Sequence, residues 1–299
     1  MTAESGEAEA RDEKTERRRR DRERQQSDTD PTTGSLTQRE RSDVSEHRRL
    51  SSVTVYAILY AEGEEELGRP VNSLWWSGLA AGIAISTSLL VEAILYNVFE
   101  DHPRREFIAY IGYSAGFIIV ILSRLQLFTE NTILVILPLF GDFSGHRLWC
   151  TARLWTVVLV ANLVGTFTTA FVTIYFNTTS PEYIASMIEL SQKAAEKQGM
   201  EALLLGIPAG FFIASLVWLL PSSKGFEIFT VTFIAWLIAA GGFTHVIVGS
   251  SKIFMSVLGG ELPFFEGMVW NLLPTLVGNI IGGTGLFSLL VYAQVSQEM

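Results

Sequence analysis

Between Ile228 and Ser251 the chain carries one ionisable side chain, His245. It stands in Gly241-Gly242-Phe243-Thr244-His245, ahead of the apolar run Val246-Ile247-Val248. An ionisable group inside a membrane is costly, so it marks a task by default. Imidazole is the side chain whose proton comes and goes nearest neutral pH. The chemistry this suits is proton donation to, or a field for, a passing solute. The structural alternative is a neutral imidazole bonded between backbone groups. A second polar interruption, Ser123-Arg124-Leu125-Gln126-Leu127-Phe128-Thr129-Glu130-Asn131-Thr132, also lies between apolar runs. Here Arg124 either attracts an anion or pairs with Glu92 or Glu130 to hold the loop. Thr129 is placed to cap a following half-helix, with Thr132 three residues on. No nucleophile–base set, metal-ligand spacing or phosphate loop accompanies these residues, so neither an enzyme, a metal nor a cofactor is expected.

The elements that position these groups are helices about 20 apolar residues long, the length that spans a bilayer. Six segments qualify: Leu74–Leu95, Phe107–Leu122 with an extension, Leu154–Phe176, Leu203–Leu220, Ile228–Val248 and Met268–Val295. In the extension, Ile133–Phe140 reaches only about 12 Å as a helix. It therefore reads as a half-helix entered from a polar turn, and the segment with His245 is broken in the same way.

Charge is distributed unevenly. Residues 1–50 hold 12 of the 22 Lys+Arg and 13 of the 31 Asp+Glu. We read residues 1–46 as a disordered charged arm, residues 47–70 as a short amphipathic, interfacial helix with a linker, and residues 71–299 as the six-helix transmembrane channel domain. A net charge of −9 argues against nucleic acid as a partner, and the lone Cys150 excludes an internal disulfide framework. Basic residues divide six to five between the two sides, which favours cytoplasmic termini.

Three pairs of motifs recur in the same order. Ala81-Gly82 matches Ala209-Gly210, Phe128-Thr129 matches Phe243-Thr244, and Ala161-Asn162-Leu163-Val164-Gly165 matches Gly278-Asn279-Ile280-Ile281-Gly282. Gly82, Gly210, Asn162, Asn279 and Gly282 are read as helix-packing positions. The fold expected is an all-α membrane protein of six helices in two inverted three-helix repeats, with helices 2 and 5 broken. Matched broken segments point to a transport site.

Leu127-Phe128-Thr129, Gly206-Ile207-Pro208-Ala209, Gly242-Phe243-Thr244-His245 and Gly278-Asn279-Ile280-Ile281-Gly282-Gly283 resemble the formate/nitrite transporter family over roughly residues 50–295. Thr244 and Gly249 stand where that family commonly has glutamate and asparagine, which marks a divergent branch. The resemblance implies an aquaporin-like protomer, a homopentamer with one pore per protomer, and passage of small monovalent anions such as formate or nitrite, with protons possible companions. It places His245 at the pore centre, Thr129 in the pore loop, and constrictions near Phe117 and Tyr113 on one side and Ile238 on the other. With Thr244, Asn131, Arg124 and Glu130, these are the expected pore residues. A neutral-solute pore and a non-conducting scaffold plugged by Arg124 and Glu130 are the alternatives. The location expected is the bilayer of a prokaryotic inner membrane, crossed several times.

Overall fold

The structure is a computed structural model describing residues 49–298. The arm expected over residues 1–46 lies outside the described residues. Regular structure among the described residues is helical throughout. Helix α1 (Ser52–Gly68) begins at Ser51, whose hydroxyl accepts the Thr54 N–H at 3.1 Å, satisfying one of the free donors of a helix start. The rods that follow are α2 (Val71–Ile85), α3 (Thr87–Val98), α4 (Arg105–Ala109) and α5 (Ser114–Leu122). After a non-helical stretch come the short α6 (Asn131–Leu134) and α7 (Ile136–Gly141), then the long α8 (Gly145–Phe176). The chain continues through α9 (Pro181–Ala195), α10 (Gly199–Leu219), α11 (Glu227–Ala240) and α12 (Val246–Leu258). It ends with α13 (Phe264–Glu266), α14 (Leu273–Ile280) and α15 (Leu289–Val295), joined by π-helical turns.

Five helical stretches among the described residues are long and apolar enough to cross a membrane: Val71–Val98, Arg105–Leu122, Gly145–Phe176, Gly199–Ser222 and Phe264–Val295. Asn131–Gly141, Glu227–Ala240 and Val246–Leu258 are apolar but shorter. Over Ile228–Val248 the backbone is helical to Ala240, non-helical at 241–245 and helical again from Val246. A helix the length of α11 covers only about 21 Å, less than the roughly 30 Å of a hydrocarbon core.

Two close helix pairs frame the centre, α2 on α8 and α10 on α14. Their contacts are built on glycine. A methyl added at Gly82 would meet the Asn162 carbonyl, and one at Gly210 would meet that of Asn279. At Gly282 it would meet the Ile207 carbonyl. Such close backbone approach is how helices pack where lipid removes the hydrophobic drive. A central apolar cluster joins Ile85, Phe117, Val120, Leu127, Phe128, Ile213, Ile238 and Ile247. Outside, Trp76, Phe107, Phe229, Phe233, Trp270 and Leu290 are exposed, a surface suited to lipid or to another subunit. Helix α1 buries Val55, Tyr56, Leu59 and Leu67 and packs against α6 and α7, while Glu64 pairs with Arg147.

Candidate functional site

Each non-helical stretch is held by an asparagine from a distant helix. Asn162 of α8 accepts the Phe128 N–H at 2.9 Å and donates to the carbonyls of Gly78 and Gln126, both at 2.8 Å. Asn279 of α14 accepts the Val246 N–H at 2.9 Å and donates to the carbonyls of Gly206 and Thr244, both at 2.9 Å. The two amides make the same three bonds: one loop N–H, one loop carbonyl two residues earlier, and one glycine carbonyl on a neighbouring helix. Both are fully buried, where unpaired backbone groups are expensive. Besides lying at the glycine contacts expected of packing residues, they clamp the loops. The pairing also corrects the register read from Phe-Thr. By these bonds Phe128 corresponds to Val246 rather than Phe243, and Gln126 to Thr244.

With the loops so held, Thr129 Oγ1 and His245 Nε2 lie 2.8 Å apart and both residues are buried. His245 is also the N-cap of α12: its Nδ1 accepts the Val248 N–H at 3.2 Å. Since Nδ1 accepts, the tautomer that satisfies both bonds carries its proton on Nε2 and donates it to Thr129. Thr129 was expected as a helix cap. Instead the N-cap of α6 is Glu130, without a side-chain capping bond, because the Thr129 hydroxyl is directed to the imidazole. Thr132 Oγ1 donates to the Thr129 carbonyl at 2.7 Å and fixes the turn.

Phe117 packs edge-on to His245, ring centroids 5.1 Å apart, and Tyr113 lies 5.6 Å from Phe117. Ile238 is buried in the same cluster. Thr244 donates to the Ala202 carbonyl at 2.7 Å, which ties the second loop to α10. Asn131 donates to Gln126 Oε1 and the Leu127 carbonyl at 3.1 and 3.2 Å, inside the first loop.

Arg124 goes elsewhere. Neither Glu92 nor Glu130 is its partner; it pairs with Glu62 of α1 at 3.1 Å, with 81% of its side chain exposed. Its φ of 53° lies in the left-handed region, which non-glycine residues adopt uncommonly. Gln126 Nε2 reaches Glu66 at 2.8 Å, so α1 clasps this loop through two of its acids. The Arg124–Glu130 plug is not formed. Glu130 Oε1 is buried without a hydrogen-bond partner.

His245, Thr244 and Tyr113 line a cavity of about 180 Å³ that extends to Lys197, Lys252 and Glu92. Lys252 Nζ sits 2.8 Å from Glu92 Oε2, and Lys197 Nζ donates to the Gly242 carbonyl at 2.7 Å. Burial, and then the Lys252 charge, push the Lys197 ammonium below its ordinary lysine value. Reading the sequence missed this cationic wall. One signal was present: Gly249 and Lys252 follow His245 at four and seven residues, one helix face.

A chain whose described residues are all-helical, with several membrane-length helices and two non-helical stretches that meet at a buried histidine beside a charged cavity, has the build of a membrane channel or transporter. It belongs to the formate/nitrite transporter family, whose model matches residues 53–293. It is 34% identical over 262 residues to the inner membrane protein YfdC of Escherichia coli, covering 87% of this chain and 84% of that one. It is 25% identical over 271 residues to the formate channel FocA of Haemophilus influenzae, covering 80% of this chain and 94% of that one. A solved pentameric formate channel with formate bound matches with a TM-score of 0.65 at 21% identity, over 76% of this chain and 98% of that one. That last likeness is one of fold.

Proposed function

We propose that the protein is a transmembrane channel or secondary transporter for small monovalent anions of weak acids, formate and nitrite among them. The carrying observation is the Thr129–His245 bond at the meeting of the two loops. The imidazole donates Nε2–H to Thr129, so the threonine hydroxyl keeps its own proton to offer to an oxyanion. The N-terminal end of α12, beside the cavity, adds a positive dipole end. Phe117, Tyr113 and Ile238 form apolar constrictions that strip water from the solute. In this reading His245 acts as a neutral donor through Thr129, and any proton that travels with the anion comes from the solvent side.

The matched bonds of Asn162 and Asn279 support two inverted three-helix halves in an aquaporin-like protomer, with the second and fifth spans broken at 123–130 and 241–245. The exposed apolar belt and the pentameric neighbour support a homopentamer set in lipid. The likeness to an inner membrane protein supports a multi-pass inner-membrane location, and the division of basic residues supports cytoplasmic termini. The test is uptake of formate, nitrite, acetate and lactate into proteoliposomes of the purified protein. Entry of at least one well above protein-free vesicles is expected; entry of none would remove the proposal.

A further inference from the structure

The ion pair between Glu92 of α3 and Lys252 of α12 is an unusual thing to find in the wall of an anion route. Its side chains are 2% and 13% exposed. A charge that deeply placed has to be paired, because losing its partner leaves it stranded away from water. The pair could have been closed off between helices; instead both residues line the cavity that His245 also lines. His245, Gly249 and Lys252 share one face of α12, and Gly249 has open space where a side chain would be. The Lys252 ammonium lies 5.6 Å from the Tyr113 ring centre. The contact with Glu92 meets the distance of an ion pair, yet Oε2 lacks a well-aligned hydrogen bond. Thr275, which also lines the cavity, is 2% exposed and its Oγ1 has no hydrogen-bond partner.

We propose that Lys252 is the anion-binding residue of this cavity, and that Glu92 is its resident counter-ion, a built-in carboxylate that an incoming small monocarboxylate must displace. The inference rests on the anion-channel reading above. Glu92 presents to Lys252 the same chemical group that a formate ion would. While the two are paired, the Glu92 charge offsets that of Lys252 and a passing anion is held weakly there. When an anion takes the ammonium, the unpartnered Thr275 hydroxyl is a donor within the same cavity. The pair therefore sets affinity: Lys252 attracts, Glu92 competes, and their balance lets the anion leave again. Conduction needs such a site, favourable enough to enter and weak enough to release.

Concentration dependence of formate entry into proteoliposomes tests this in four proteins. Glu92→Gln, close to isosteric, removes the competitor and lowers the half-saturating formate concentration by about tenfold or more. Lys252→Met leaves a lone buried carboxylate and raises that concentration by a similar factor. The double variant removes both members of the pair and moves back toward the wild-type rate without strong saturation. Should Glu92→Gln fail to assemble, Glu92→Asp, which draws the carboxylate back from Lys252, is expected to shift the half-saturation the same way. Opposite shifts in the two single variants support the proposal. Equal half-saturation in all, or a shift of both single variants in one direction, overturns it while leaving wild-type flux intact. Absence of formate entry in the wild type would instead sink the channel reading itself.

Discussion

Thr129 Oγ1 and His245 Nε2 stand 2.8 Å apart although 116 residues separate them along the chain. Neither residue reaches the other through its own helix. Asn162 holds the first loop and Asn279 the second, and the threonine–histidine bond closes between them. Replacement of Thr129 by valine keeps the volume and removes the acceptor of Nε2–H, leaving a buried donor unpaired at a cost of about 1–3 kcal/mol. Formate uptake is expected to fall at least about tenfold in Thr129→Val and to be largely retained in Thr129→Ser, which keeps the hydroxyl.

The asparagine clamps carry fold more than chemistry. Asn162→Leu strands the Phe128 N–H and the Gln126 carbonyl; Asn279→Leu strands the Val246 N–H and the Thr244 carbonyl. Each is expected to cost about 3 kcal/mol or more. Thermal unfolding in detergent should show similar losses for the two. A large loss for one and none for the other would break the equivalence of the loops.

Glycine contacts separate packing from space. Gly210→Ala forces a methyl against the Asn279 backbone and is expected to destabilise by about 1–3 kcal/mol, as overpacking does. Gly249→Ala meets open space and should unfold no earlier than wild type, since alanine favours the helix. Melting temperatures of the two variants, measured side by side, decide it.

Helix α9 is clasped to α3 and the start of α4 by charge. Tyr96 donates to Glu189 at 2.6 Å, and Lys193 contacts Glu106 at 2.6 Å. The Tyr96 hydroxyl holds the Glu189 carboxyl below its ordinary value. Burial opposes the Lys193 charge, but bonds to Glu106 and Tyr96 outweigh it and hold the ammonium above its ordinary value. A depressed carboxyl contributes fully above its unfolded pKa and loses that contribution as pH falls through the folded one. A raised ammonium contributes fully below its unfolded pKa and loses it as pH rises through the folded one. Stability should therefore be flat near neutrality and fall below roughly pH 4. Glu189→Gln should show a smaller acid loss than wild type in pH-dependent melts.

Helix-borne features were legible in the sequence because register along a helix is constant. Ala81-Gly82 against Ala209-Gly210, and Asn162 against Asn279, keep their spacing in the packed structure, so the motif order could be read. Loop register was not. Phe128-Thr129 and Phe243-Thr244 look alike, yet the clamp bonds equate Phe128 with Val246, because a loop's path is set by its tertiary partner rather than by its own letters. Charge partners were hidden for the same reason. Arg124 had two expected partners, Glu92 and Glu130, yet pairs with Glu62 on α1, and Glu92 pairs with Lys252 on α12. His245 was conspicuous as a lone ionisable residue, whereas its role as an N-cap became visible only with the Val248 N–H in place.

Initial formate entry into proteoliposomes, wild type beside His245→Ala at equal protein density, tests the central claim most directly. The account predicts saturable entry in the wild type and a rate near that of protein-free vesicles in the variant. Entry through His245→Ala at the wild-type rate, from protein of unchanged assembly, would contradict it.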